Sequence, residues 1–227
     1  LPRPHALSGR VLRIVPLFAL VALAPVAALA HPHMFVDAGM TLRFDDQGRL
    51  GAVGVVWVYD DFSSMLILGD LGLAGDADGN LSEDELTVLT EAARDWPQDF
   101  EGDLYLTQDG APLELSGPLE ARIHYRDGRL IETHLRAVIA RPDPAEAPVS
   151  VRIYDPVYYT AYSLTAAPRI VGREDCRVTV DEADLSAAQK LYADELATLD
   201  AISASGEVPM PELGHAFADE VSLQCAP

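Results

Sequence analysis

The chemistry of this chain is densest in seven residues, His31-Pro32-His33-Met34-Phe35-Val36-Asp37. Arg3, Arg10 and Arg13 form a positive leader, Val11 to Leu29 is an apolar run, and Ala28-Leu29-Ala30 is a small-x-small cleavage site. Residues 1–30 therefore read as a signal peptide, and residues 31–227 as a single exported domain. The run is almost long enough to be an uncleaved anchor, but Pro16, Pro25 and the many alanines favour cleavage. Cleavage after Ala30 leaves His31 as the first residue, with a free α-amine, its own imidazole and that of His33 close together. In an extended segment the period of two puts both rings on one face. Three nitrogen donors at a chain end suit zinc, copper, nickel or cobalt. Pro32 excludes a square-planar site of the amine–amide–amide–imidazole kind, because it has no amide proton to lose. The competing view is that both histidines are ordinary polar residues on a frayed terminus.

Composition narrows the partners. The formal charge is −20, and removal of the three leader arginines takes it to −23. Such a chain repels phosphates, which argues against nucleic acid and anionic lipid surfaces. Hydrophobic residues make up 49% of the chain, enough for a core without staples. Cys176 and Cys225 are the two cysteines, and in an oxidising compartment they most simply pair as a disulfide. Two thiolate metal ligands are the weaker alternative, since the close spacing of zinc sites is missing.

The elements that must position these groups are mostly strands. Met34 to Phe44 alternates, Asp45 to Gly48 is a turn, and Leu50 to Tyr59 is a second strand, predicting a hairpin with the histidines at its start. Asp60 to Gly72 reads as a short helix with Phe62, Met65, Leu66 and Leu68 apolar, its Asp60-Asp61 pair an N-terminus rather than a catalytic pair. A second helix runs from Ser82 to about Trp96, opened by the capping box Ser82…Glu85 and stopped by Pro97. From Asp103 to Val180 the chain reads as β, with strand signals at 104–106, 121–125, 130–139, 149–154, 158–164 and 177–180. An amphipathic helix follows from Asp184 to about Ala201, then a Ser/Gly/Pro loop and a last element within Leu213 to Cys225. This pattern predicts an α+β fold, mainly antiparallel and sandwich-like, with the helix–loop–helix of residues 60–97 inserted and a carboxy-terminal helix.

The loop between the first two helices resembles a calcium-binding EF-hand loop. With Gly79 at the sixth position, Asp76, Asp78, Ser82 and Glu85 occupy the ligand positions, but Ala74 stands where the leading aspartate belongs. The missing charge and oxygen make calcium binding doubtful.

Two further histidines lie on the hairpin around Arg126-Asp127-Gly128. A two-residue loop pairs Ile123 with Glu132 and His124 with Ile131, mixing apolar and polar faces, whereas a three-residue loop pairs Ile123 with Ile131 and Arg122 with Glu132. The second register is hydrophobically consistent and sets opposite charges across from each other, so it is the expected one. It puts His124 and His134 on one polar face about 13 Å apart, too far to share an ion. His134, with Glu132 and Glu120 beside it, is the better candidate to join the amino-terminal metal site, and His124 the weaker.

Taken together, HPHMFVDAGMTLRFDDQGRL, VWVYDDFSSMLI, DADGNLSEDEL, YRDGRL…THL, VRIYDPVYYTAYSL and LGHAFAD…C closely resemble the DUF1007 family. The resemblance runs through nearly all of the mature chain. It implies a periplasmic accessory protein of metal uptake, working with an inner-membrane permease of the nickel/cobalt type and associated with zinc import. It also implies His31 and His33 as the family's amino-terminal histidines, and Asp155 as the acid of its YDP motif. Ala74 departs from the acid usual in the family's helix–loop–helix.

The expectation is a non-enzymatic protein that binds a transition metal, zinc ahead of nickel or cobalt. No nucleophile–base pair, phosphate loop or paired catalytic acids stands at a recognisable spacing. One alternative is a copper carrier or oxidative enzyme, because a terminal histidine chelating through amine and ring resembles the copper brace of polysaccharide-cleaving enzymes. Peroxide-dependent oxidation by the copper form would mark that reading. Another is a structural or calcium-responsive interaction module, marked by stability that responds to calcium but not to zinc.

Overall fold

Strand β1 (Met34–Phe44) turns Val36, Ala38, Met40 and Leu42 inward at every second residue, the alternation its sequence carries. The computed structural model describes residues 32–73, 79–202 and 210–227. Asp45 closes the first hairpin by accepting from the backbone N–H groups of Gln47 and Arg49, both at 3.0 Å, and β2 (Leu50–Tyr59) returns antiparallel. Next to β2 lies β6 (Arg129–Ala137), and next to that β5 (Leu119–Arg126). On its other side β1 pairs with β8 (Thr160–Leu164) and, further along, β9 (Arg169–Val171). Both of these pairings are parallel, so the first sheet is mixed.

The second sheet is antiparallel throughout. Its order is β10 (Cys176–Asp181), β11 (Glu220–Cys225), β7 (Val149–Ile153), β3 (Leu104–Gln108) and β4 (Ala111–Pro112). The two sheets share one core, in which Leu42, Val53 and Val55 of the first meet Leu106, Val151 and Leu223 of the second. The fold is thus α+β, with two mainly antiparallel sheets packed together. Cys176 and Cys225 are register partners across β10 and β11 and form the expected disulfide.

The helical insertion covers the end of the first sheet that the second sheet leaves open. Helix α1 (Asp61–Asp70) is capped by Asp60, which accepts from the Ser63 N–H at 2.6 Å. Helix α2 (Glu83–Ala92) opens with the Ser82–Glu85 capping box, each residue serving the other's backbone N–H. Leu68, Leu89 and Ala93 then pack with Ala121, Ile123 and Leu130 of β5 and β6 in a second core. Helix α3 (Leu185–Ile202) rests through Ala188 and Tyr192 on Phe217, which closes a short 3-10 turn at Gly214–Phe217. Among the described residues no helix is long and apolar enough to cross a membrane.

One local expectation is corrected. The β5–β6 loop is the two-residue one: Arg126 pairs with Arg129, His124 with Ile131 and Ile123 with Glu132. Asp127 and Gly128 have φ of 52° and 81°, the left-handed pair that a type I′ turn requires. The three-residue register assumed that Glu132 faces water, and it does not. Of the apolar residues of helix α1 Leu68 is buried together with Ser63 and Ser64, while Phe62, Met65 and Leu66 are exposed. Ser64 Oγ accepts the Leu130 N–H at 2.9 Å, a bond that draws the serine face onto β6.

Candidate functional site

Strand β6 sends Leu130, Glu132, His134 and Arg136 inward in succession, and all four are buried. Three ionisable groups on one inner face are costly, because burial strips each of its hydration. Their partners offset part of that cost. Glu132 accepts from His134 Nδ1 at 3.1 Å and from the Tyr59 hydroxyl at 3.3 Å. Since a carboxylate accepts, the Nδ1–H tautomer fits, and Nε2 is left buried with no hydrogen-bond partner among the described residues. The His134 ring sits edge-on to Trp57 and Trp96, at centroid distances of 4.8 and 5.3 Å. Arg136 lies over the Trp96 ring at 4.9 Å and donates to the carbonyls of Ser116 and Glu101.

A fourth buried ionisable group comes from the other sheet. Asp103 stands just before β3 with φ of 50°, and the Tyr162 hydroxyl donates to it at 2.7 Å. Burial pushes the Asp103 carboxyl up to about 7, against the opposing pull of the Tyr162 hydrogen bond and of Arg136 and with a further push from Asp155. Burial also raises the phenols of Tyr59 and Tyr162, reinforced by Glu132 and Asp103 respectively. Both phenols therefore stay protonated and remain donors.

Of these groups Tyr59, Asp103, Glu132 and Tyr162 border a cleft of about 300 Å³ at the seam of the two cores. Trp57, Tyr59, Trp96, Phe100 and Tyr162 supply ring surface, and Asp103 and Glu132 supply the carboxyls. The α1–α2 side contributes Ile67, Leu89 and Ala93, while Met34 and Thr160, register partners across β1 and β8, stand at its edge.

The amino-terminal histidines lie elsewhere. His31 falls outside the described residues. His33 is exposed and precedes β1 on the parity of Phe35 and Asp37, the face of the first sheet opposite to His134. Its backbone N–H donates to the Tyr159 carbonyl at 2.8 Å, and the two rings lie 4.9 Å apart. Asp155 organises the loop that carries Tyr159, accepting the Val157 N–H on Oδ1 and the Thr160 N–H on Oδ2, both at 3.0 Å. The structure thus brings His33 to the YDP loop, and leaves His134 across the sheet.

His124 is exposed on the outer face of β5, beside Thr90 and Arg94 of the α2 region, and does not share a face with His134. Asp76 and Asp78 of the loop read as EF-hand-like fall outside the described residues, while Ser82 and Glu85 are engaged in the capping box. Among the described residues one trio of metal-ligating side chains gathers closely enough to share an ion, Asp175 with Cys176 and Cys225, and its sulfurs are tied up in the disulfide.

The residues that sequence reasoning missed are Asp103, Tyr59, Tyr162 and Arg136. A signal for Arg136 was present, since Glu132, His134 and Arg136 recur at a period of two. The intervening Ile131 and Leu135 are apolar and claim the core instead, and this hid it.

No curated protein and no solved structure matches the chain. A family model described as "Protein of unknown function (DUF1007)" matches residues 16–225, nearly the whole length, and the chain belongs to that family.

Proposed function

We propose that this is a periplasmic, non-catalytic metal-binding protein that captures a transition metal, zinc ahead of nickel or cobalt, at its amino-terminal histidines. Its role is to support transport of that metal by an inner-membrane permease. The observation that carries the reading is the meeting of His33 with Tyr159, which joins the HPH stretch to the YDPVYY stretch at one exposed place. A histidine ring on a fixed strand end is a better ligand than one on a loose tail, because less freedom is lost on binding. Exposed Phe62, Met65 and Leu66 on α1 lie at the same end as Phe35, whose carbonyl accepts the Asp60 N–H at 3.1 Å, and offer that permease an apolar docking face.

A second reading is favoured by one observation. A histidine whose Nδ1 is held by a carboxylate while Nε2 stays unpartnered has the arrangement of a metal ligand with its supporting carboxylate. In that case His134, not His33, anchors the ion.

Calorimetric titration with zinc separates the two. A chain beginning at His31 should bind, and extension by one residue or His33→Ala should weaken binding at least tenfold. His134→Ala should leave affinity within about threefold, and loss of binding in that variant alone would transfer the site to the interior. If an extended chain with His31 and His33 both replaced by alanine binds as tightly as the mature one, the amino-terminal reading is wrong.

A further inference from the structure

The cleft between the helical insertion and the sheets has a composition of its own, independent of the His33 end. Five aromatic rings form much of its wall, and its two charged residues are both acids. Among the described lining residues there is no lysine, arginine or histidine. Arg136, a cation that acts on Asp103, is already committed to the Trp96 face and to two backbone carbonyls. Each carboxyl is steered by a phenol, Asp103 by Tyr162 and Glu132 by Tyr59, so their positions are fixed before anything binds. The indole N–H of Trp57, one of these five rings, is buried with no partner among the described residues.

We propose that this cleft binds a small organic ammonium ion carrying an apolar body. Aromatic faces present the negative side of their quadrupole to a cation, and the attraction grows as water is excluded. Buried carboxyls gain most from a charge that arrives with its own donors. Leu89, Ile123 and Leu130 accept the apolar remainder of the ligand. A bare metal ion fits this site less well, because Asp103, Glu132 and His134 do not converge on one point among the described residues. The volume also exceeds what an ion alone would fill.

The chain contains two tryptophans, Trp57 and Trp96, and both line the cleft, so its intrinsic emission reports on this site. The test titrates the mature chain with 2-phenylethylammonium and, separately, with uncharged 2-phenylethanol at pH 8. A saturable change in emission is expected with the amine, at an affinity at least tenfold above that of the alcohol. Asp103→Asn and Glu132→Gln should each weaken the amine at least tenfold, with near-ultraviolet circular dichroism confirming that the variants are folded. Should either variant fail to fold, the comparison of amine with alcohol on the unaltered chain still decides. Equal affinity for the two compounds, or no saturable response to the amine, overturns the proposal. It is also overturned if zinc alone saturates the emission change while the amine does not.

Discussion

Tyr162 and Asp103 come from different sheets and meet through one hydrogen bond of 2.7 Å, the phenol donating to Oδ2. Burial drives the Asp103 carboxyl upward, and this bond holds it down at about 7. The bond spans the two layers at the edge of the cleft. Loss of either partner should therefore be felt in stability as well as in binding.

Stability should fall as pH rises from about 4 to about 7. The unfolded carboxyl releases its proton near 3.8 and the folded one near 7, so between those values the native state holds the extra proton. Rising pH then favours unfolding, with an upper limit on the order of 4 kcal/mol for the whole window. Asp103→Asn should flatten this slope. Asp45, Asp143, Asp175 and Glu220, whose pKa values are lowered mainly by backbone or arginine hydrogen bonds, act in the opposite direction and in more acidic solution. Urea midpoints at pH 5 and pH 8 for both chains check the sign.

The two adjacent serines of α1 should respond differently to alanine. Ser64 Oγ accepts the Leu130 N–H, so Ser64→Ala leaves a buried donor unsatisfied and should cost about 1–3 kcal/mol. Ser63 Oγ is buried with no hydrogen-bond partner among the described residues, so Ser63→Ala should be neutral or slightly stabilising. Equal losses in urea unfolding would contradict the helix placement.

Gly214 has no room for a side chain. A Cβ there would stand 1.7 Å from the Asp155 carbonyl oxygen, against rigid backbone. Gly214→Ala should therefore destabilise by about 2 kcal/mol or more and shift the loop behind Tyr159. Gly117, with nothing within 4 Å of its would-be Cβ, is the control and should tolerate alanine. Thermal melts of the two variants make the comparison.

The disulfide closes a loop between cysteines 49 residues apart, for which chain entropy gives about 4 kcal/mol. Thiol titration of the denatured, unreduced chain should find no free thiol. Reduction should lower the urea midpoint by an amount set by that figure as an upper value. Two free thiols would remove this tie between β10 and β11.

The signals legible in the sequence were those that act locally. Asp60 and Ser82 cap helices because a short polar side chain meets the free N–H groups of a first turn, and no tertiary contact is needed to see it. The β1 and β2 alternation was legible for the same reason. The parallel pairings of β8 and β9 with β1 were not, since they join distant segments and leave no local pattern. The face of α1 was missed because hydrophobicity ranks Phe62 above Ser64, whereas the buried Leu130 N–H requires an acceptor. The cleft was missed for a related reason. Glu132 reads as solvent-facing until the Tyr59 phenol of β2 is brought to it, and the Tyr162 phenol of β8 reaches Asp103 from a distant segment.

Strand β1 lies between β2, its immediate successor, and β8 with β9 from the far half of the chain. During synthesis one edge of β1 therefore stays at least partly open until residue 171 has emerged, exposing a row of unpaired N–H and C=O groups on a strand with one apolar face. An early hairpin of this kind is a template for pairing with other chains, and loop closure over such a distance is slow. The order of the strands thus leaves an isolated β1–β2 hairpin with an open β1 edge that only the far half of the chain covers.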